Sequence, residues 1–297
     1  MDKVLFGDNQ FFAVNHLSDE KSRQQSIQFR EDAAIIRVID SALDAGIQTF
    51  MCTTHDRIAN ICEHIRQNPG RYANFKIFPC MPYAHKYANA VTELGIMGTI
   101  QQYVPGNIFS TFTKGGLAFL SKDFAKLMQI LIDAEMKMFK SINTPVIFIQ
   151  NVITDMILGL GMYDILAEYD QYIRKKYNAE PGYITMNMPK LLDVLNSLGI
   201  SNPIICASIN KIAFRMSGGK ELNEKYLREK EFRPIAMQVL AAGALRPKEA
   251  IEYLEQFPKI ESVLFGASSK AHIQETKELI ITFLNPHSAS DNIQSEN

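Results

Sequence analysis

The sequence predicts an α/β protein folded as a single (β/α)8 barrel of the TIM type, on three observations. Short apolar, β-branched and aromatic runs alternate with longer amphipathic stretches along nearly the whole chain, the order that a parallel sheet with crossover helices requires. Eight such runs can be read, the number that closes this kind of barrel. No internal repeat or linker divides the 297 residues, and 46% hydrophobic content supplies one large core. The barrel is expected over residues 1–285, with a polar, flexible tail at 286–297.

Each element has its own signal. The strands are read at Lys3 to Phe6, Thr49 to Cys52, Lys76 to Cys80, Val146 to Ile149, Tyr183 to Met186, Ile204 to Ala207, Ala236 to Leu240 and Ser262 to Phe265. Asp32 to Ala45 reads as a helix because Ile35, Ile36, Ile39 and Leu43 share a face and Gly46 stops it. Further helices are expected at Arg57 to Gln67, Asp123 to Lys140, Tyr163 to Lys176, Pro189 to Leu198, Lys248 to Phe257 and Lys270 to Leu284. Tyr87 to Ser121, punctuated by glycine and proline, has the length of a lid or an insertion. Ile209 to Phe232, carrying Lys211, Arg215, Lys220, Lys225 and Arg228 around Ser217-Gly218-Gly219, reads as a solvated connector.

Composition narrows the partners. A formal charge of -1 with no basic stripe argues against nucleic acid. No apolar run has the ~20 residues of a membrane span. Four scattered cysteines without a paired spacing, and no leader-like start, fit a reducing cytoplasm. A small-molecule substrate is the expected partner.

In such a barrel the chemistry sits where the strands end. The residues just beyond the runs are Asp8, Asn9 and Gln10; His55 and Asp56; Tyr83, His85 and Lys86; Gln150 and Asn151; Asn187; Asn210; Gln238; and Ser268, Ser269 and Lys270. Such a ring of amides and hydroxyls suits a polyhydroxylated or phosphorylated molecule. Phe11 or Phe12 would either stack on a ligand or plug the mouth. His55 is expected as acid or base, oriented by Asp56 or Asp8, with Tyr83 as a second proton donor whose pKa Lys86 or His85 would lower. His16, His55, His85 and Asp8 are numerous enough for zinc, but no motif fixes their spacing, so no metal is assigned.

The segment Val263-Leu264-Phe265-Gly266-Ala267-Ser268-Ser269-Lys270 runs from strand to helix start. The free N–H groups and positive dipole end of that helix would seat an anion, or the serines simply cap it. This segment resembles the last strand and helix of the aldo-keto reductases. So do Gly46-Ile47-Gln48-Thr49-Phe50 and the stretch from Ile184-Thr185-Met186-Asn187-Met188-Pro189 to Asn210. The resemblance implies a nicotinamide cofactor, NADP or NAD, with a phosphate at Gly266, Ser268, Ser269 and Lys270 and the carboxamide at Asn187; Cys206 falls near that family's glutamine.

The family's catalytic aspartate, tyrosine, lysine and histidine are matched here by Met51, by His55-Asp56, by roughly Pro79 to Met81, and by Gln150-Asn151. The expectation is therefore a divergent reductase-like enzyme for a small sugar-derived carbonyl or alcohol. Its rebuilt proton relay would comprise His55, Asp8, Tyr83 and Lys86, with Asn9, Gln10, Gln150, Asn151 and Asn210 contacting substrate. Two other readings stay open: an isomerase, epimerase or lyase for a phosphorylated sugar without nicotinamide, and a non-catalytic binding protein.

Overall fold

The computed structural model describes residues 1–12, 19–83 and 121–284. The expected loop at 87–120, the tail at 286–297, and Asn15, His16, His85 and Lys86 lie outside the described residues. Eight parallel strands form one closed barrel in chain order: β1 (Val4–Gly7), β2 (Thr49–Thr53), β3 (Lys76–Met81), β4 (Val146–Ile149), β5 (Glu180–Thr185), β6 (Ile204–Ser208), β7 (Arg233–Met237) and β8 (Ser262–Phe265). Closure comes from β1 against β8, with Val4, Leu5 and Phe6 opposite Val263, Leu264 and Phe265.

The two-residue period of a strand sorts these side chains into two cores. Leu5, Met51, Phe78, Cys80, Phe148, Ile184, Cys206 and Ile235 pack together inside the barrel. Their neighbours along the strands, such as Phe6, Phe50, Cys52, Ile77, Ile147, Tyr183, Ile205 and Ala236, face the helices. Both faces are therefore apolar, which is why the strands read as unbroken hydrophobic runs. Inside, Phe148 lies across Gly182, where a Cβ would sit 2.4 Å from the ring, so only glycine fits that position.

Around the sheet lie α1 (Asp19–Gln28), α2 (Asp32–Asp44), α3 (Asp56–Gln67), α4 (Ser121–Met136), α5 (Asn151–Leu160), α6 (Asp164–Tyr177), α7 (Met188–Ser197), α8 (Gly219–Glu229), α9 (Pro247–Leu254) and α10 (Lys270–Leu284). Three of them depart from the sequence reading. α1 is polar apart from an exposed Ile27 and carries no apolar stripe. α5 follows β4 so closely that Ile147 to Leu160 reads as one greasy run; the break is at Gln150, which caps the helix, and Gly161 ends it at φ 69°. The segment 209–232 is no mere connector, because α8 occupies its second half and buries Asn223 and Leu227.

Strand β7 begins three residues before the expected Ala236, with Pro234 inside it opposite Ile205. Proline donates nothing to a ladder and so misleads a reading that expels it from central strands. At the amino-terminal end of the barrel Arg233 grips Glu261 with two nitrogens, at 2.8 and 2.9 Å, and reaches Glu180 at 2.6 Å. Those bonds, helped by the Met1 ammonium, hold the Glu261 carboxyl down at about 2 against the opposing effect of burial.

Candidate active site

The carboxyl ends of the strands enclose a cavity of about 530 Å³. Its walls include Asp8, Asn9 and Gln10 from the β1 loop, Thr53, Cys80 and Tyr83 from β2 and β3, and Gln150 and Asn151 after β4. Asp8 is the buried acid of this wall, 6% exposed. Its Oδ2 accepts from the Thr53 backbone N–H at 2.8 Å and from the Thr53 hydroxyl at 2.7 Å. Burial outweighs these bonds and raises the carboxyl above the ordinary aspartate range.

Two further acids clip neighbouring strand ends in the same manner. Glu135 of α4, buried at 3% exposure, accepts from the Thr54 hydroxyl at 2.5 Å and from the Tyr83 backbone N–H at 3.1 Å. Asp155 of α5 accepts from the Thr185 hydroxyl at 2.5 Å and the Met186 N–H at 3.1 Å, and burial raises its carboxyl too. The clips set the exits of β2, β3 and β5 and so place the cavity wall. Tyr83 is half-buried, and burial, with Asp8 and Asp56 adding negative charge nearby, raises its hydroxyl. That is opposite to the lowering expected from the sequence; the phenol keeps its proton.

His55 caps α3, its Nδ1 accepting from the Arg57 N–H at 3.2 Å. In the neutral ring this bond leaves the proton on Nε2. The ring stacks on Phe12 at 4.2 Å and lies 5.9 Å from the Tyr83 ring. Phe11 is buried against Phe6, Phe29 and Phe50 in the core between sheet and helices, so it neither plugs the mouth nor faces a ligand, whereas Phe12 lines the cavity.

The remaining expected residues divide. Asn9, Gln10, Gln150, Asn151 and Gly266 line the cavity. Gln10 donates to the Gly7 carbonyl at 2.8 Å and lies so close over Gly266 that a Cβ there would meet its Oε1 at 2.1 Å. Asn210 is fully buried, and its amide is spent on Phe214: Nδ2 donates to the carbonyl at 2.9 Å, Oδ1 accepts from the N–H at 2.7 Å. Asn187 caps α7, accepting from the Lys190 N–H at 3.4 Å. Ser269 accepts from the His272 N–H at 3.3 Å, and Ser268, through its carbonyl, accepts from Gln28 at 3.5 Å. Ser269 and Lys270 stay exposed at a helix start whose first amides have no intrahelical acceptor.

Three residues were missed. Gln25 of α1 lines the cavity, and its Oε1 is buried without a hydrogen-bond partner. Arg215 reaches the cavity from the β6 loop. Glu135 sits behind the wall; its helical spacing from Met128, Ile132 and Phe139, all buried, was its available signal. Past β7, Gln238, Ala241 and Ala242 adopt left-handed φ of 55°, 47° and 58° in a loop that also borders the cavity. Strained backbone of this kind concentrates at ligand sites.

The architecture superposes over 95% of this chain and 91% of the other on a protein assigned to the aldo-keto reductases from Pseudomonas aeruginosa, with a TM-score of 0.56 at 10% identity. It also matches an aldo/keto reductase from Brucella melitensis over 86% of this chain and 87% of that one, with a TM-score of 0.51 at 10% identity. The fold is that of the aldo-keto reductases. By sequence the chain matches no protein-family model and no curated protein. Met51 of β2 is an inward-facing core residue 2% exposed. No helix among the described residues is long and apolar enough to cross a membrane.

Proposed function

We propose that the protein is a reductase-like enzyme that transfers hydride to or from a small, sugar-derived carbonyl or alcohol, with Asp8 as its proton carrier. The observation that carries this reading is Asp8 itself, a buried carboxyl on the cavity wall whose affinity for a proton is raised and whose position Thr53 fixes. Reduction of a carbonyl builds negative charge on oxygen, and a positioned acid with a raised affinity for its proton is the kind of group that step calls for. Tyr83, whose hydroxyl burial raises, lines the same wall and would donate a hydrogen bond to a bound substrate. His55 supports the wall as helix cap and ring partner, a structural share in the relay.

A nicotinamide nucleotide suits the helix start of α10 on its phosphate side. Exposed Ser269 and Lys270 with the first-turn amides form an anion seat next to Gly266, a residue of the cavity wall. The orphaned Gln25 acceptor is matched to a ligand amide or hydroxyl. When bound, the nicotinamide supplies or takes the hydride. Gln10, Gln150 and Asn151 hold hydroxyl groups of the substrate.

The test is titration with NADPH and NADH, read by fluorescence and by melting temperature, since a ligand of the native state raises the midpoint. A panel of simple aldehydes and sugar-derived ketones follows, comparing the wild type with Asp8→Asn, Tyr83→Phe and His55→Ala. Slow reduction of simple aldehydes and dependence on Asp8 are expected. Failure of both nucleotides to bind would remove the redox reading, and sugar-phosphate rearrangement without nucleotide would replace it with isomerase chemistry.

A further inference from the structure

Among the described residues, four ionisable side chains line the cavity: Asp8, Cys80, Tyr83 and Arg215. Burial raises the first three above their ordinary ranges, and Arg215 is the cation among these four. Among the described residues its guanidinium has no carboxylate partner, and it contacts the Phe214 ring at 5.5 Å. Neighbouring cations are engaged elsewhere: Lys211 pairs with Glu249 at 2.7 Å, and Arg228 with Glu224 at 3.3 Å.

The loop that carries Arg215 is held rigidly. Asn210 clamps both polar groups of the Phe214 backbone, and the Ser217 N–H donates to the Met186 carbonyl at 2.9 Å. Ala213 and Arg215 are fixed at left-handed φ of 58° and 55°, a conformation such residues adopt only where surroundings enforce it. From the β1 side, Gln25 brings a buried, unpartnered carbonyl oxygen to the same cavity. A buried acceptor without a donor is uncommon, and a ligand hydroxyl meets its need.

We propose that Arg215 and Gln25 form the recognition pair of the cavity, Arg215 binding the phosphate or carboxylate of a small polyhydroxylated anion and Gln25 accepting from one of its hydroxyls. A guanidinium fork matches either oxyanion with two parallel hydrogen bonds. The pair is separate from the helix start at Ser268 to Lys270. The inference concerns binding alone and holds whether or not the bound molecule is reduced.

Calorimetric titration tests it, with ribose 5-phosphate, gluconate, neutral ribose and NADPH as probes of the full-length protein. Arg215→Gln should weaken the two anionic sugars about ten- to a hundredfold, the range for charge-assisted bonds, and leave ribose unchanged. Arg215→Lys should recover part of the loss, and added salt should shrink it. Gln25→Leu should weaken all three sugars several-fold. Weakening of NADPH alone by Arg215→Gln would overturn the pair and assign Arg215 to the nucleotide. Equal binding of every anionic probe by wild type and Arg215→Gln would overturn the pair, as would a wild type that binds neither anionic sugar, inorganic phosphate nor NADPH at millimolar concentration. Arg215 is exposed, so melting temperatures of its variants should match the wild type.

Discussion

At the amino-terminal end of the barrel Arg233 is locked between Glu261 and Glu180, whereas at the carboxyl-terminal end Arg215 borders the cavity with an aromatic ring as its contact and, among the described residues, no carboxylate. The acids differ in parallel. Glu261 is held charged, its carboxyl drawn down to about 2, while burial pushes Asp8 the other way, toward its protonated form. The base spends its charges on cohesion, and the mouth keeps them for a ligand, which is the division of labour expected of this barrel type. Stability and chemistry therefore answer to different residues, and substitutions can separate them.

The largest effect should come from Asp8→Asn, with turnover falling roughly 10²- to 10⁴-fold, the usual contribution of a positioned acid. Stability should not follow. A carboxyl whose folded pKa is raised favours folding most below its unfolded value near ~3.9, and that advantage fades as pH rises through the folded value. The asparagine variant, uncharged throughout, should therefore melt no lower than wild type at neutral pH. A marked drop in melting temperature would mean that the mouth is held together as the base is.

Glu261→Gln is the mirror case. Loss of a two-pronged, partly buried ion pair should cost roughly 1.5–3 kcal/mol of stability at neutral pH, with turnover per folded molecule intact. Because the folded pKa of Glu261 is lowered to about 2, its contribution is present above the unfolded value and lost as pH falls toward that number. Thermal melts of the two proteins should converge there. Tyr83→Phe comes next, with turnover down by less than about tenfold, since a neutral hydrogen bond is worth ~1 kcal/mol; a loss as large as that of Asp8→Asn would transfer the proton role to Tyr83. Smallest is Ser269→Ala, which should cost about 0.5–1 kcal/mol in melting experiments as a lost helix cap. Beside it, Lys270→Glu should weaken NADPH more than Lys270→Ala does, by a margin that salt erodes.

The barrel was legible because both of its cores need apolar side chains, so strands such as Val146–Ile149 and Ser262–Phe265 announce themselves. What escaped was structure without an apolar period: polar α1, and the loop of Asn210 to Ser217, whose shape comes from a buried amide gripping backbone. Gln25 and Arg215 sit on those two pieces. For the ring at the mouth, position beyond the strand ends was sufficient to gather Asp8, Asn9, Gln10, Tyr83, Gln150 and Asn151 onto one cavity. It could not tell a side chain facing that space from one already committed, as Asn210 is to Phe214 and Asn187 to the α7 amides.

The Thr53 N–H points at Asp8 Oδ2 from 2.8 Å, and this gives the molecule a spectroscopic witness of its own. A carboxylate polarises a donated amide more strongly than a carboxylic acid does, so the proton resonance of Thr53 follows the charge on Asp8 through any titration. The Met186 amide reports in the same way on Asp155. A pH series of amide spectra would then read the ionisation of the cavity wall directly, with no substrate in hand, and would register a molecule entering the cavity as a displacement of both curves, since Thr53 and Met186 both line it.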